Sequence, residues 1–304
     1  MRRVLIALVV ALLAVATVAG VSYARSSGGS DSGLPKVTGK PGSKPTIKAD
    51  GAQATKLKVK VLKKGDGPAV QKGDLLVADY LGQTWRNNKV FDNSYDRGEP
   101  VGFPIGVGQV IKGWDSSLVG VKAGSRVELV IPPAEGYGTQ GNSQAGIKGD
   151  DTIVFVVDVI ASYPKNVAKT DAMPVPATGG LPTVSGALGS RPSVTVPKGA
   201  TPPKTPTVVV LDKGTGPAVN DGQLAVVEYE AVSWANKPVD STWGKSPQAF
   251  PVSTANPGAF TKLAGVPIGS RVLLMLPPQQ GGKAASDSLA VVVDVVAAHS
   301  GGGK

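Results

Sequence analysis

The stretch that decides the fold contains V-F-D (90–92), V-I-K-G-W (110–114), P-P-A-E-G-Y-G (132–138) and T-I-V-F-V-V-D-V (152–159). Only 5% of the chain is aromatic, yet several rings fall within this stretch: Phe91, Phe103, Trp114, Tyr137 and Phe155. Any one ring alone is most simply interpreted as core. Together, rings on separate strand-like and turn-like segments can converge on one concavity, which predicts a pocket for a small ligand or a peptide.

Strand and helix patterns surround these motifs. Apolar runs and alternations at 57–62, 75–81, 126–131 and 153–160 predict strands. The best helical candidate is 110–121, where apolar residues share one face and Gly120 and Gly124 mark the end. Its apolar face would consist of Val110, Ile111, Trp114, Leu118 and Val121. The sequence therefore predicts an α+β domain, a mostly antiparallel sheet curled around one short helix.

In order and spacing, Y-x-G at 80–82, V-F-D, V-I-x-G-W, P-P-x-x-G-Y-G and V-F-x-V-x-V resemble the FKBP family of peptidyl-prolyl cis-trans isomerases (EC 5.2.1.8). Each motif alone is weak, but the full set in the family's order is specific. The resemblance runs from about residue 55 to 162, about a third of the chain. It implies that the helix lies in the concave face of the sheet and that the pocket opens where the two meet.

The resemblance also implies roles for individual side chains. Trp114 would form the pocket floor, and the Ile111 N–H and the Tyr137 hydroxyl would hold carbonyl groups of a bound peptide. The catalytic candidates are Tyr137, Asp92, Trp114 and Phe91. The substrate-binding candidates are Tyr80, Phe103, Val110, Ile111, Ile147 and Phe155. Asp92 would lie at the rim near Tyr80 and Arg97, where a plain salt bridge is the alternative to a chemical role.

The sequence departs from the family at two places. Val101 stands where many members carry a further aromatic residue, and the loop from 138 to 151 keeps only Ile147 of a common Ile-Pro-Pro. This loop is rich in polar side chains. These departures concern substrate preference and affinity for macrolide inhibitors more than isomerase activity itself.

Composition restricts the chemistry. The chain has no cysteine and a single histidine, His299, so thiolate chemistry, a Ser-His-Asp site and a histidine metal site are poor fits. Isomerisation of an X-Pro bond needs no nucleophile, metal or cofactor, so none is expected. The net charge is +10, but there is no basic stripe interleaved with aromatics, which argues against nucleic acid. Attraction to an acidic cell surface remains open.

The N-terminus has the pattern of an export signal. Arg2 and Arg3 precede an apolar run at 4–21, and S-Y-A at 22–24 offers a cleavage pattern. Residues 1–24 are interpreted as a signal peptide or an N-terminal membrane anchor, with cleavage slightly favoured. Either way we expect an exported protein, secreted or anchored on the outer side of the cytoplasmic membrane. Residues 25–54 are predicted to be a disordered linker, because they have few large apolar residues.

A second copy of the domain follows. Residues 55–163 form the predicted isomerase domain, 164–206 a Pro/Gly-rich linker, 207–298 a degenerate FKBP-like domain and 299–304 a flexible tail. K-G-D-G-P-A-V at 64–70 reappears as K-G-T-G-P-A-V at 213–219. The copy keeps Tyr229 and Asp240 but replaces pocket positions: Phe91 by Val239, Trp114 by Ala259, Tyr137 by Gly282, Phe155 by Val291, and Val110-Ile111 by Ala255-Asn256. Phe250 and Phe260 could refill part of the space.

Three functional hypotheses follow. The first is an exported prolyl isomerase, monomeric by default, that acts on proline-containing polypeptides through the first domain. The second is a non-catalytic chaperone or peptide-binding module of the cell envelope, and the third is a surface module for one dedicated partner. Retention of all four rings at Phe91, Trp114, Tyr137 and Phe155 in one copy favours the first hypothesis, because the second copy shows that the scaffold alone does not need them.

Overall fold

Two antiparallel sheets, one in each half of the chain, form the framework of the protein. The computed structural model describes residues 33–167, 173–174, 181–255, 257–278 and 287–303. The first half contains β1 Lys36–Thr38, β2 Thr46–Lys48, β3 Lys58–Lys63, β4 Leu75–Thr84, β5 Val90–Asn93, β6 Val101–Pro104, α1 Lys112–Leu118, β7 Arg126–Ile131 and β8 Ile153–Tyr163. Short 3₁₀ helices follow β7 at Pro133–Glu135 and Gly138–Gln140.

The first sheet has the strand order β3-β7-β8-β4-β5, with β6 paired to the other part of β4. Its central strands, β4, β7 and β8, are largely buried, as expected for near-continuous apolar runs covered on both faces. The edge strand β3 alternates between exposed and half-buried residues. The helix α1 packs in the concave face, so the predicted α+β architecture is confirmed for this domain.

The helix is shorter than the predicted 110–121. Ile111 caps it with an extended backbone (φ −57°, ψ 145°), and Val119 leaves it with ψ 129° before Gly120, whose φ is +79°. The loop before the helix is held by the Asp115 carboxylate, which accepts hydrogen bonds from the N–H groups of Gly106 (2.7 Å) and Gly108 (2.5 Å). Val110 and Ile111 therefore lie in a fixed loop at the helix start, and both are buried.

The second half of the chain repeats this plan. It contains β9 Met173–Pro174, β10 Thr183–Ser185, β11 Ser193–Thr195, β12 Thr207–Lys213, β13 Gln223–Ser233, β14 Pro238–Ser241, β15 Gln248–Val252, β16 Arg271–Leu276 and β17 Leu289–His299. The strand order of the second sheet is β14-β13-β17-β16-β12-β9, with β15 paired to β13. Where the first domain has α1, the described part of the second has a 3₁₀ helix at Ala259–Leu263. Pro257, which lacks a backbone N–H, and Gly258 precede it, and both disfavour a longer helix.

The prediction of a disordered linker at 25–54 is wrong for the described residues 33–54. β1 and β2 form a hairpin that lies on the convex face of the first sheet. Ile47 and Ala49 are buried there against Leu81, Trp85 and other side chains of the sheet. The few apolar residues of the hairpin are placed on one face, so that a short segment rich in Pro and Lys still covers the sheet.

The predicted linker at 164–206 also contains ordered structure. β10 and β11 form an equivalent hairpin, and Val194 and Val196 pack with Trp234 and Leu273 on the convex face of the second sheet. The two hairpins share the pattern L-P-x-V-[TS]-G-x-x-G-S-[KR]-P-[TS]-[IV] at 34–47 and 181–194. The repeated unit is therefore a hairpin together with the sheet that follows it.

One buried arginine in each unit joins the hairpin to the sheet. The Arg126 guanidinium donates to both oxygens of Asp158 at 2.7 and 2.6 Å, and to the carbonyls of Gly39 and Ser43 at 3.0 and 2.7 Å. In the second unit, Arg271 does the same with Asp294 and with hairpin carbonyls. The pKa of the Asp294 carboxyl is raised by burial, against the pull of its Arg271 partner.

The two domains dock against each other through repeat-equivalent residues. Leu75 and Val77 of β4 pack with Leu224 and Val226 of β13, which are their equivalents in the repeat. Next to them, the Tyr163 hydroxyl and His299 Nε2 are 2.6 Å apart. The contact therefore has the form of a two-fold interface between unequal copies.

The predicted flexible tail at 299–304 is also different in the structure. His299 is the last residue of β17, and Gly303 forms an isolated bridge with Ser43 of the first hairpin. Backbone pairing to another element fixes this end of the chain.

None of the helices in the described ranges is long and apolar enough to cross a membrane. The predicted signal or anchor at 1–24 lies outside the described residues, as do Asn256 and Gly282 of the second copy.

Candidate active site

The aromatic residues predicted from sequence meet in the concavity between α1 and the first sheet. The Trp114 ring lies at the centre, with its centroid 5.5 Å from that of Tyr80, 5.2 Å from Phe103 and 5.1 Å from Phe155. All three contacts are edge-to-face, the arrangement that aromatic quadrupoles favour. Phe91 extends the cluster through Phe155, at 5.6 Å. Trp114 is therefore the central ring of the group.

Strand pairing explains how distant residues converge. Tyr80 is on β4, and its neighbour in the sheet, β8, carries Phe155, while β5 on the other side brings Phe91. Gly82 of β4 is required between them, because a Cβ at this position would lie 2.5 Å from the Phe155 ring and 2.8 Å from the Phe91 ring. The Y-x-G motif thus makes room for two rings of the pocket.

Two polar groups of the ring cluster have no hydrogen-bond partner among the described residues. Trp114 Nε1 is buried and has no hydrogen-bond partner among the described residues. Tyr137, half-buried at the edge of the core, also has a hydroxyl without a partner in the described part of the chain. Burial, reinforced by the nearby Asp92 carboxylate, raises the pKa of Tyr137 to about 12. Its hydroxyl is therefore a protonated donor at neutral pH.

Both carboxylate oxygens of Asp92 accept hydrogen bonds from other residues of the first domain. Its Oδ2 accepts a short hydrogen bond from the Tyr80 hydroxyl, and its Oδ1 accepts from Arg97 Nη1 at 2.5 Å. Arg97 Nη2 also donates to the Tyr80 hydroxyl at 3.1 Å, and its guanidinium lies 5.7 Å from the centre of the Tyr80 ring. Burial is the main cause of the raised pKa of Tyr80. Asp92 therefore fixes the orientation of Tyr80, and the geometry gives it no free proton to donate.

The remaining predicted residues complete the walls. Val110, Ile111 and Ile147 are buried in the same core cluster, and Phe103 packs against it. Ile147 reaches the core because its backbone pairs with Asn142 through two hydrogen bonds, of 2.8 and 2.9 Å, across the 138–151 loop. The structure thus brings every sequence-predicted site residue to one concavity.

Sequence reasoning missed the anchor of this loop. The Arg86 guanidinium binds both oxygens of Asp151, at 2.8 and 3.2 Å, and the Lys148 N–H donates to the same carboxylate at 2.8 Å. These interactions lower the pKa of Asp151 against the effect of burial, which acts in the opposite direction. The D-D pair at 150–151 before β8 was the only signal, and polar loop residues give no indication of their partners.

The equivalent space in the second domain is filled. Phe250 and Phe260 stack with their centroids 3.8 Å apart, and both approach Tyr229, at 6.1 and 6.4 Å. Tyr229 still donates to Asp240 at 2.6 Å, as Tyr80 does to Asp92. The predicted refilling by Phe250 and Phe260 is confirmed, and the copy keeps the rim pair while its rings occupy the cavity.

A sheet with one helix in its concavity and a cluster of rings between the two defines an α+β domain. Residues 67–160 match the family described as FKBP-type peptidyl-prolyl cis-trans isomerase. An FK506-binding protein of Streptomyces anulatus is 40% identical over 105 residues, which cover 34% of this chain and 85% of that protein. The chain belongs to the FKBP-type peptidyl-prolyl cis-trans isomerase family.

The matches with other relatives cover different shares of the two chains. An FK506-binding protein 2 of Dictyostelium discoideum is 48% identical over 88 residues, 29% of this chain and 65% of that protein. The chain in the crystal structure of AtFKBP13 has 38% sequence identity to this one and a TM-score of 0.32. The match covers 34% of this chain and 91% of that chain. The family match itself falls entirely within the first domain.

Proposed function

We propose that the first domain catalyses cis-trans isomerisation of X-Pro bonds in polypeptides. The observation that carries the proposal is the set of rings around Trp114 together with the Tyr137 hydroxyl, which has no partner in the described ranges. Rings supply an apolar bed for a proline side chain, and a protonated hydroxyl supplies one hydrogen bond beside it. Nothing else is needed for this reaction, which makes and breaks no covalent bond.

The physical basis is differential binding. Rotation about the X-Pro bond breaks amide resonance, with a barrier of about 18–20 kcal/mol. In the twisted transition state the C–N bond loses double-bond character and the carbonyl loses polarity. A dry aromatic pocket therefore disfavours the planar, solvated amide more than the twisted one, which lowers the barrier.

Each residue then has a separate role. Trp114 and Phe155 hold the proline ring, and the Tyr137 hydroxyl and the Ile111 N–H donate to substrate carbonyls on either side of the rotating bond. Asp92 and Arg97 position Tyr80 as a wall. In this scheme Asp92 and Phe91 act through their neighbours and not on the reacting bond.

We propose that the substrates are proteins folding outside the cytoplasmic membrane, because Arg2, Arg3 and the apolar run at 4–21 have the pattern of an export signal. Slow prolyl isomerisation, which takes tens of seconds or more, limits folding there as elsewhere. Fractionation of cells that express the full chain tests this, with external protease added to intact cells. Protein that stays in the cytosol and is protected would contradict it.

The activity is tested with full-length protein and a short X-Pro peptide. We expect acceleration above the uncatalysed rate, lost in Trp114→Ala and kept in Phe260→Ala, which alters the ring cluster of the second domain as the matched control. Relatives are named FK506-binding proteins, and we propose that a macrolide of this type competes for the same pocket. A folded chain without any acceleration would overturn the isomerase proposal.

The filled second pocket favours one alternative, a chaperone that holds unfolded chains without catalysis. This reading is tested by suppression of aggregation of an unfolded client. Equal suppression by the wild-type chain and by Trp114→Ala, with no isomerase activity in either, would favour the chaperone.

A further inference from the structure

The second domain contacts the strand that carries one wall of the active pocket. Gly102 of β6 faces Ala249 of β15, and a Cβ on Gly102 would lie only 2.6 Å from the Ala249 Cβ. Ala249 stands at the position of Gly102 in the repeat, since the two pair with Val226 and Val77, respectively. The next residue along β6 is Phe103, whose ring contacts Trp114. The position of β15 therefore limits where this wall can lie.

The C-terminal tail contacts the first domain behind a second wall. The Gly302 N–H donates to Asp79 Oδ2 at 2.6 Å, and Asp79 Oδ1 accepts from the Ser94 hydroxyl at 2.6 Å. The same hydroxyl oxygen accepts from the Tyr80 N–H at 3.0 Å. Tyr80 in turn donates to Asp92 at the rim. A continuous line of hydrogen bonds thus joins the tail to the pocket, and Asp79 is only 2% exposed.

A reciprocal contact exists on the side of the second domain, where rings fill the space equivalent to the aromatic site. The Val167 N–H, which follows β8, donates to Glu228 Oε1 at 3.1 Å, and Glu228 is the repeat equivalent of Asp79. In that domain Phe250 and Phe260 fill the cavity. The molecule therefore contains two similar interdomain contacts, and one of them adjoins the ring cluster around Trp114.

We propose that the second domain is a positioning device for the active pocket of the first. β15 sets Phe103 through Gly102, and the tail sets Tyr80 through Asp79 and Ser94. This gives a reason to keep a copy in which Phe250 and Phe260 fill the space equivalent to the aromatic site. The inference rests on the proposed isomerase function, and Asp79 and Ala249 are positioning residues that do not touch substrate.

The test compares Asp79→Asn with Glu228→Gln in the full-length chain. Both variants neutralise a buried carboxylate that accepts an interdomain N–H, so both are expected to lower the melting temperature. We expect only Asp79→Asn to lower kcat/KM, by about tenfold, because small displacements of positioned groups are costly to catalysis. It should also shift the indole N–H resonance of Trp114, assigned with Trp114→Phe, and Glu228→Gln should leave that resonance in place.

Ala249→Leu provides a second, steric test. The larger side chain must push β6, and with it Phe103, so we expect a similar loss in kcat/KM, whereas Ala249→Gly should stay near the wild-type value. A chain that ends at Ser300 tests the tail if the leucine variant does not fold. Activity and Trp114 resonance unchanged in Asp79→Asn and in the shortened chain would overturn the inference. An inactive wild-type chain would instead overturn the isomerase proposal.

Discussion

The Tyr137 hydroxyl has no hydrogen-bond partner among the residues that the structure describes, so it should contribute to catalysis and not to folding. We expect Tyr137→Phe to lower kcat/KM by about two- to thirteenfold, the equivalent of one hydrogen bond of about 0.5–1.5 kcal/mol. The melting temperature should not change. Peptide isomerisation and thermal unfolding measure the two effects. A variant that unfolds earlier but isomerises normally would contradict this role.

The pKa of Tyr137, about 12, has a consequence for the pH profile. The group remains protonated far above neutral pH, and Asp92 is held in an ion pair with Arg97. We therefore expect kcat/KM to be flat between about pH 6 and about pH 9, unlike an enzyme that depends on a general base. Rates measured across this range with a peptide that does not titrate are sufficient. A bell-shaped profile would indicate proton transfer and contradict the mechanism.

At the residue scale, the sequence was informative where rings are rare and motif spacing is tight. Trp114, Tyr80 and Phe155 could be predicted because V-I-K-G-W, Y-x-G and V-F-x-V mark their places. The resemblance placed Asp92 near Tyr80 and Arg97, but it did not predict the hydrogen bond from Arg97 to the Tyr80 hydroxyl, which depends on the pairing of β4 with β5.

The hairpins show, at the scale of elements, where composition misled the prediction. Few apolar residues and many Pro, Gly and Lys residues are typical of disorder, and β1–β2 has that composition. What composition omits is placement, because Ile47 and Val37 face the sheet while their neighbours face water. The shared pattern at 34–47 and 181–194 was the available signal, because a disordered tether has no reason to repeat.

The first hairpin carries an unfavourable pair that the second lacks. Lys36 is directly opposite Lys48, whereas the equivalent residues are Thr183 and Thr195. Because like charges at facing positions repel, Lys36→Thr with Lys48→Thr should raise the free energy of unfolding by about 0.2–1 kcal/mol. Denaturation at low and high salt measures the change, which should shrink as salt screens the charges. Thr183→Lys with Thr195→Lys is the matched opposite and should destabilise.

The buried Arg126–Asp158 pair should be far more sensitive than the exposed lysines. Asp158→Asn leaves a buried guanidinium uncompensated, so we expect a loss of about 3–5 kcal/mol in unfolding free energy. Because Arg126 also holds carbonyls of Gly39 and Ser43, hydrogen exchange of the first hairpin should rise in this variant. Asp294→Asn is the counterpart in the second domain, and it should raise hydrogen exchange of the second hairpin. A cost below 1 kcal/mol would show that the pair adds little.

For the molecule as a whole, the interface predicts a pH dependence. His299 lies against Tyr163, and burial lowers its pKa below the ordinary 6.5. The unfolded chain therefore binds a proton first as pH falls, so stability is full above 6.5 and declines from there down to the folded pKa. Urea unfolding at several pH values measures this. His299→Gln, which cannot titrate, should lose the decline between 6.5 and about 5, where carboxylates have not yet been protonated.

Duplication could be predicted from the sequence, but docking could not. Motifs at 64–70 and 213–219 reveal two copies, whereas Leu75 and Leu224 look like any other strand residues. A central strand has apolar side chains on both faces, so the sequence pattern does not show whether a hairpin, a helix or another domain covers a given face. Only the arrangement of the chain in space assigns these residues to the interface.

Each hairpin covers the sheet that follows it. Recombination within the gene therefore preserves a folded unit only where the breakpoint keeps a hairpin together with its sheet. The shared pattern begins at Leu34 and at Leu181, before β3 and β12. A recombination breakpoint between β8 and β9, at 164–172, would exchange complete units. A breakpoint near 206 would separate the second sheet from β10 and β11 and leave Trp234 and Leu273 without their cover. Descendants of this architecture should therefore gain or lose copies at the first kind of boundary, because only there does each product keep a covered sheet.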